Sequence, residues 1–210
     1  MPVTSWAFPG SVSGSGWAAS DAGTLVDAVG TDDDIVARHA APATDFLICG
    51  DFGFSLPAGA LPEGIEVNCQ CFFWPNEYLI TVPATYPYIG LWLSKNGSTA
   101  ATAERERITF GPHPLTPPAD SPEFTEGSAA DLWGLAWTDT EINASSFSVL
   151  IKQGTTSAET PAQGRAVDFA RVRVHYSEPV VISPAPILAS EYRRIPEVGI
   201  TDTGPGVRRT

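Results

Sequence analysis

The segment Gly64 to Trp74 alternates without a break. Ile65, Val67, Cys69, Cys71 and Phe73 fall on one side, and Glu66, Asn68, Gln70, Phe72 and Trp74 on the other. Successive side chains of a strand point to opposite faces, so this period of two predicts one long strand with an apolar face turned to a core. The polar side turns aromatic at Phe72 and Trp74, which places either a covering loop or an exposed contact patch at that end. Shorter runs supply neighbours: Phe46–Cys49, Tyr86–Leu93, Glu104–Phe110, Phe147–Ile151 and Ala170–Tyr176 all read as strands. Pro57 with Gly59, and Asn96 with Gly97, mark turns. No stretch keeps a helical period. The 19 glycines and 19 prolines among 210 residues would break helix interiors, which excludes a helical bundle. About seven or eight strands with irregular spacing predict an all-β fold, a two-sheet antiparallel β-sandwich of jelly-roll or Greek-key type.

The chain divides into three parts. Residues 1–16 read as an irregular lead-in anchored by Trp6 and Phe8, and residues 17–176 as the sandwich domain opening at Trp17. Within the sandwich, Gly111 to Gly127 holds five prolines and reads as a long loop. Thr138 and Glu141 are spaced for a capping box into one helical turn. Residues 177–210 read as an extended arm with prolines at 179, 184, 186, 196 and 205. Val181, Ile182, Ile187, Leu188, Tyr192 and Ile195 make that arm too apolar for a solvated tail. Such a segment lies on something, by strand addition or groove filling. It either folds back on its own domain or reaches a neighbouring subunit. The second is the expectation, with those six side chains as candidate partner contacts.

Charge and motifs narrow the function. The net charge is -12, and residues 177–210 hold four acids and four bases, so the whole excess sits in residues 1–176. Nucleic acid is excluded as an expected partner, because binding it needs basic side chains that displace counterions. The N-terminus has neither a basic start nor an apolar run, and no stretch has the length of a membrane span, so synthesis in a cytoplasm without membrane insertion is expected. Cys49, Cys69 and Cys71 are expected as reduced, buried small hydrophobes, although Cys49 pairing with Cys69 or Cys71 is the alternative. The run Asp32-Asp33-Asp34 reads as a solvated turn, and it lacks the Gly and Glu spacing of an EF-hand calcium loop. His113 lies between prolines with no partner ligand spaced near it, and His175 is expected on the solvated face of the last strand. The chain carries no nucleophile elbow, phosphate loop or zinc-protease motif. The expectation is a non-enzyme without catalytic residues, cofactor or metal.

Three segments in order carry a resemblance. The first runs Asp45-Phe46-Leu47, then Phe52-Gly53-Phe54-Ser55-Leu56-Pro57-Ala58-Gly59-Ala60 and Gly64-Ile65-Glu66-Val67. The second is Asp131-Leu132-Trp133-Gly134-Leu135-Ala136-Trp137-Thr138 with Glu141-Ile142-Asn143 and Phe147-Ser148-Val149, and the third is Val167 to Tyr176. Together they resemble tailed-bacteriophage and prophage virion structural proteins over residues 17–176. The resemblance implies a β-sandwich on a virion, as a capsid decoration or head-associated protein or a neck or tail component. Its expected partners are other virion proteins and copies of itself, with threefold symmetry expected because capsid surfaces and fibres offer threefold sites. The expected location is the virion, after synthesis in the host cytoplasm. The alternative reading is a carbohydrate-binding module that meets a host-surface glycan through Trp74, Trp92 and Trp137. Sandwich folds host both roles, so fold does not decide between them.

Overall fold

A computed structural model describes residues 1–31, 35–39, 45–74, 88–107, 123–154 and 164–179. In chain order the first half supplies β1 (Ser11–Ser13), β2 (Trp17–Ala19), α1 (Leu25–Val29), β3 (Ala37–His39), β4 (Leu47–Gly50) and β5 (Leu61–Trp74). The second half supplies β6 (Tyr88–Ser94), β7 (Arg105–Arg107), β8 (Glu123–Gly127), α2 (Asp139–Asn143), β9 (Ser148–Gly154) and β10 (Gly164–Ser177). The first sheet has the order β1-β4-β9-β6-β7 and the second β2-β3-β10-β5-β8. Every pairing is antiparallel. The protein is thus the expected all-β two-sheet sandwich. Its order is interleaved, not a meander, because the two last strands lie in the middle of both sheets.

The alternating segment is β5, as its pattern predicts, and it pairs with β10 from Leu61↔Ser177 to Trp74↔Gly164. Its apolar residues Ile65, Val67, Cys69 and Cys71 face inward beside Val172, Val174 and Ala170 of β10. Leu47 and Cys49 of β4, Leu91 and Leu93 of β6, and Val149 and Ile151 of β9 meet them from the first sheet. Each large apolar side chain buried in this way contributes about 1.5–3 kcal/mol. A bulge between Val167 and Phe169 shifts the register of β10 and puts Asp168 into the interior. The bulge also turns Phe169 opposite Gln70, onto the outer side of the sheet.

Several elements differ from expectation. Glu123–Gly127, read as the end of a loop, is an edge strand on β5. It holds one buried apolar residue, Phe124, so its composition gives almost no strand signal. The lead-in is not irregular throughout. Val3 bridges His175 and Ala7 bridges Val172, then β1 joins β4 in the opposite sheet. Residues 1–13 therefore clip one sheet to the other. Helix α1 went unread, although Thr24 and Asp27 form a capping box at its start. The capping box read at Thr138 and Glu141 is present and opens α2. Met1–Pro179 forms one unit, so the sandwich includes the lead-in and ends just beyond β10.

Candidate functional site

The outer face of the second sheet carries a polar ladder that alternation alone would leave in solvent. Glu66, Asn68 and Gln70 are instead 8%, 4% and 7% exposed. Register explains this, because Glu66 lies opposite Arg173 and Asn68 opposite Arg171. The Arg173 guanidinium donates to Glu66 Oε2 at 2.7 and 3.1 Å. His175 Nε2 lies 2.7 Å from Glu66 Oε1, with a side chain only 12% exposed. The expectation that His175 sits on a solvated face is therefore corrected: Glu66 reaches across to it. Arg171 donates to Asn68 Oδ1 at 2.8 Å and to Glu123 Oε2 at 3.1 Å. Asn68 in turn donates to the Phe124 carbonyl and to Thr125 Oγ1.

The lead-in roofs this ladder. The Trp6 ring lies 4.5 Å from the Arg173 guanidinium and 5.3 Å from that of Arg171. Phe8 meets Phe169 edge-on at 6.3 Å. Burial raises the Glu66 pKa, but hydrogen bonds and charge from Arg173 and His175 outweigh it and hold the carboxyl below its ordinary value. The polar groups of Glu66, Asn68, Arg171, Arg173 and His175 are thus turned on one another and serve cohesion.

The motif-bearing segments meet at one corner. Asn143 donates to the Leu56 carbonyl and accepts from the Leu56 N–H, and Asp139 accepts from the Gly59 N–H. These bonds strap the 56–59 turn to α2. Phe52, Phe54, Trp137 and Phe147 stack beneath, with ring centroids 5.4–6.1 Å apart. Trp133 holds a left-handed backbone, with φ of 58°, which a bulky residue rarely adopts. Three contacts impose it. Asp131 accepts from its N–H, its indole donates to the Ile65 carbonyl at 3.0 Å, and the Arg105 guanidinium lies over its ring at 4.3 Å. Arg105 also pairs with Asp131 at 2.6 Å, and the Asp131 carboxyl is held below its ordinary value, chiefly by that arginine.

The outer face of the first sheet presents a different surface. Trp92 is half-buried on β6, opposite Leu150 of β9, which is itself opposite Ile48 of β4. The indole lies along the strand over Gly90, where an added Cβ would come 2.6 Å from its benzo ring. The Glu104 carboxylate comes over the same glycine. Phe46 meets Trp92 edge-on at 5.1 Å, and the Lys152 ammonium lies 5.4 Å above the Phe46 ring. Lys152 is the cross-strand partner of Gly90. An aromatic ring, a carboxylate and an ammonium therefore gather around one backbone position.

The sequence-selected residues fall unequally. Trp92 is on this surface. Trp137 is 5% exposed and donates its indole N–H to the Leu132 carbonyl, so it offers no open ring as a glycan contact. Trp74 ends β5, and its side chain lies outside the described residues, as do Asp32, Asp33, Asp34 and His113. Val181, Ile182, Ile187, Leu188, Tyr192 and Ile195 also lie outside them. Cys49, Cys69 and Cys71 are buried free thiols in the core. Burial raises all three, Cys49 to about 12, so none is a ready nucleophile. Among the described residues, no three His, Cys, Asp or Glu side chains gather as metal ligands would. No helix among them is long and apolar enough to cross a membrane. Sequence reading missed the parts played by Gly90 and Glu104. Of these, only Gly90, two residues before a tryptophan in a strand, carried a readable signal. No protein-family model matches the chain, and neither does any curated protein.

Proposed function

We propose that the chain is a non-enzymatic structural module of a virion, a capsid decoration, head-associated, neck or tail component that assembles through homo-oligomer contacts and its C-terminal arm. One observation supports this reading: the polar side chains of the segments that carry the resemblance are spent on the chain's own cohesion. Asp139 and Asn143 hold the 56–59 turn, Asp131 holds Trp133 and Arg105, and Arg171, Arg173 and His175 hold Glu66, Asn68 and Glu123. A motif of this kind encodes a rigid scaffold.

Sedimentation of the full chain beside a fragment cut after Pro179 tests the assembly part. The cut follows the end of the folded unit and spares β10, which runs to Ser177. The full chain is expected to form a closed oligomer. The fragment is expected to stay monomeric with an unchanged far-ultraviolet spectrum. Equal assembly of both, or a monomeric full chain at high concentration, overturns the assignment of assembly to the arm.

A further inference from the structure

We propose that the outer face of the first sheet around Gly90, Trp92, Glu104 and Lys152 is a binding site for the ring of a neutral sugar. The inference stands on this surface alone and does not depend on the virion reading.

Gly90 is what makes the surface flat. A side chain there would strike both the Trp92 ring and the Glu104 carboxylate. With hydrogen in that place, the indole lies down along β6 instead of standing away from the sheet. Trp92 keeps part of its surface accessible, while Leu150 across the strand is fully covered. A pyranose has one face of C–H groups and a rim of hydroxyls. The face suits an aromatic plane, and the rim suits a few placed polar groups.

The polar groups here are of both signs. Glu104 brings an acceptor over Gly90, and Lys152, opposite Gly90 on β9, brings a donor. A hydroxyl can donate to the first and accept from the second. The opposed charges cancel, so the site offers no net positive charge to draw a uronic or sialic acid, and a neutral ring suits it. The phenyl ring of Phe46 walls the site on the β4 side. Lys152 is held near that wall by its position over the Phe46 ring, which limits the entropy it must lose on binding.

The test uses the full chain labelled with nitrogen-15 and titrated with chitohexaose, cellohexaose and maltoheptaose at low millimolar concentration. The expected result is saturable movement of the Gly90 amide and the Trp92 indole N–H with at least one of them. Glu104→Gln keeps the side chain's shape at an exposed position, its fold checked by the far-ultraviolet spectrum, and is expected to weaken binding about tenfold, one charge-assisted hydrogen bond. Trp92→Phe keeps an aromatic cover over Leu150 but shrinks the platform, and it is expected to weaken binding as well. Absence of movement with all three sugars overturns the proposal. So does binding that both variants leave unchanged. Movement of the same signals with protein concentration alone, before any sugar is added, would show that a second copy covers the face and would also overturn it.

Discussion

Gly127 and Gly53 both hold left-handed backbone, with φ of 90° and 66°. They differ in what surrounds them. A Cβ at Gly127 would run into the Ile65 carbonyl oxygen and come 2.9 Å from the Trp133 indole nitrogen, whereas a Cβ at Gly53 would meet nothing within 4 Å. The Ile65 carbonyl is also the acceptor for the Trp133 indole, so a shift there disturbs the contact that holds the strained tryptophan. Gly53→Ala therefore carries only backbone strain, about 1–2 kcal/mol. Gly127→Ala carries the same strain plus a clash with backbone that cannot swing away, about 3 kcal/mol or more in total. Urea midpoints of the two variants measure the difference. Equal losses would mean that the corner is looser than its geometry. Gly134, beside Trp133, also has positive φ but open space around it, so the tight closure belongs to Gly127 and not to every turn in the motif.

The lead-in is the element whose role the sequence concealed most. Residues 1–8 show no alternation, and nothing local says that they pair with residues some 170 positions away. Their docking is nonetheless specific. The Tyr176 N–H donates to the Pro2 carbonyl, the Val174 N–H to Thr4 Oγ1, and the Val172 N–H to the Ala7 carbonyl. Removal of residues 1–8 is expected to speed amide exchange at these three positions at least tenfold. Arg171 and Arg173, which strand geometry turns toward β5, should keep their protection. Unchanged exchange at Val172, Val174 and Tyr176 would remove the lead-in from the sheet edge. This element also shows what was legible and what was not. Period two identified β5 and β10, and capping-box spacing identified α2, because those signals are local. The same β5 pattern places the polar ladder on one face, but alternation alone does not say that the face is buried. Its burial depends on Glu66 meeting Arg173, 107 residues later, and on Trp6 closing over the arginines. The flat surface at Trp92 was half legible. The tryptophan was singled out, but the glycine beneath it and the carboxylate beside it acquire meaning only when the sheet is assembled.

For the whole molecule, acid brings two effects of opposite sign into competition. The net charge of -12 means that protonating exposed carboxylates relieves self-repulsion and stabilises the fold as pH falls. Glu66 and Asp131 work the other way. Both carboxyls are held below their ordinary values by the arginines they face, with His175 also acting on Glu66, so the folded state keeps them ionised where the unfolded chain begins to take up protons. Their stabilisation is full above the unfolded values, about 4.3 for glutamate and 3.9 for aspartate. It is lost as pH falls through the lower folded values. Stability is therefore expected to hold between neutral pH and about pH 5, then fall steeply below about pH 4, where the paired groups dominate. Glu66→Gln separates the two effects. It keeps the shape and a hydrogen-bond acceptor for Arg173 but removes the titrating charge. The variant should be less stable than wild type at pH 7, because Arg173 loses its ion pair in a half-buried setting. The gap should close as pH drops below the ordinary glutamate value, because the unfolded wild-type chain then takes up a proton that folded Glu66 resists. Urea midpoints for both proteins across that range test the argument. A gap that stays constant with pH would mean that Glu66 contributes through packing and not through its charge.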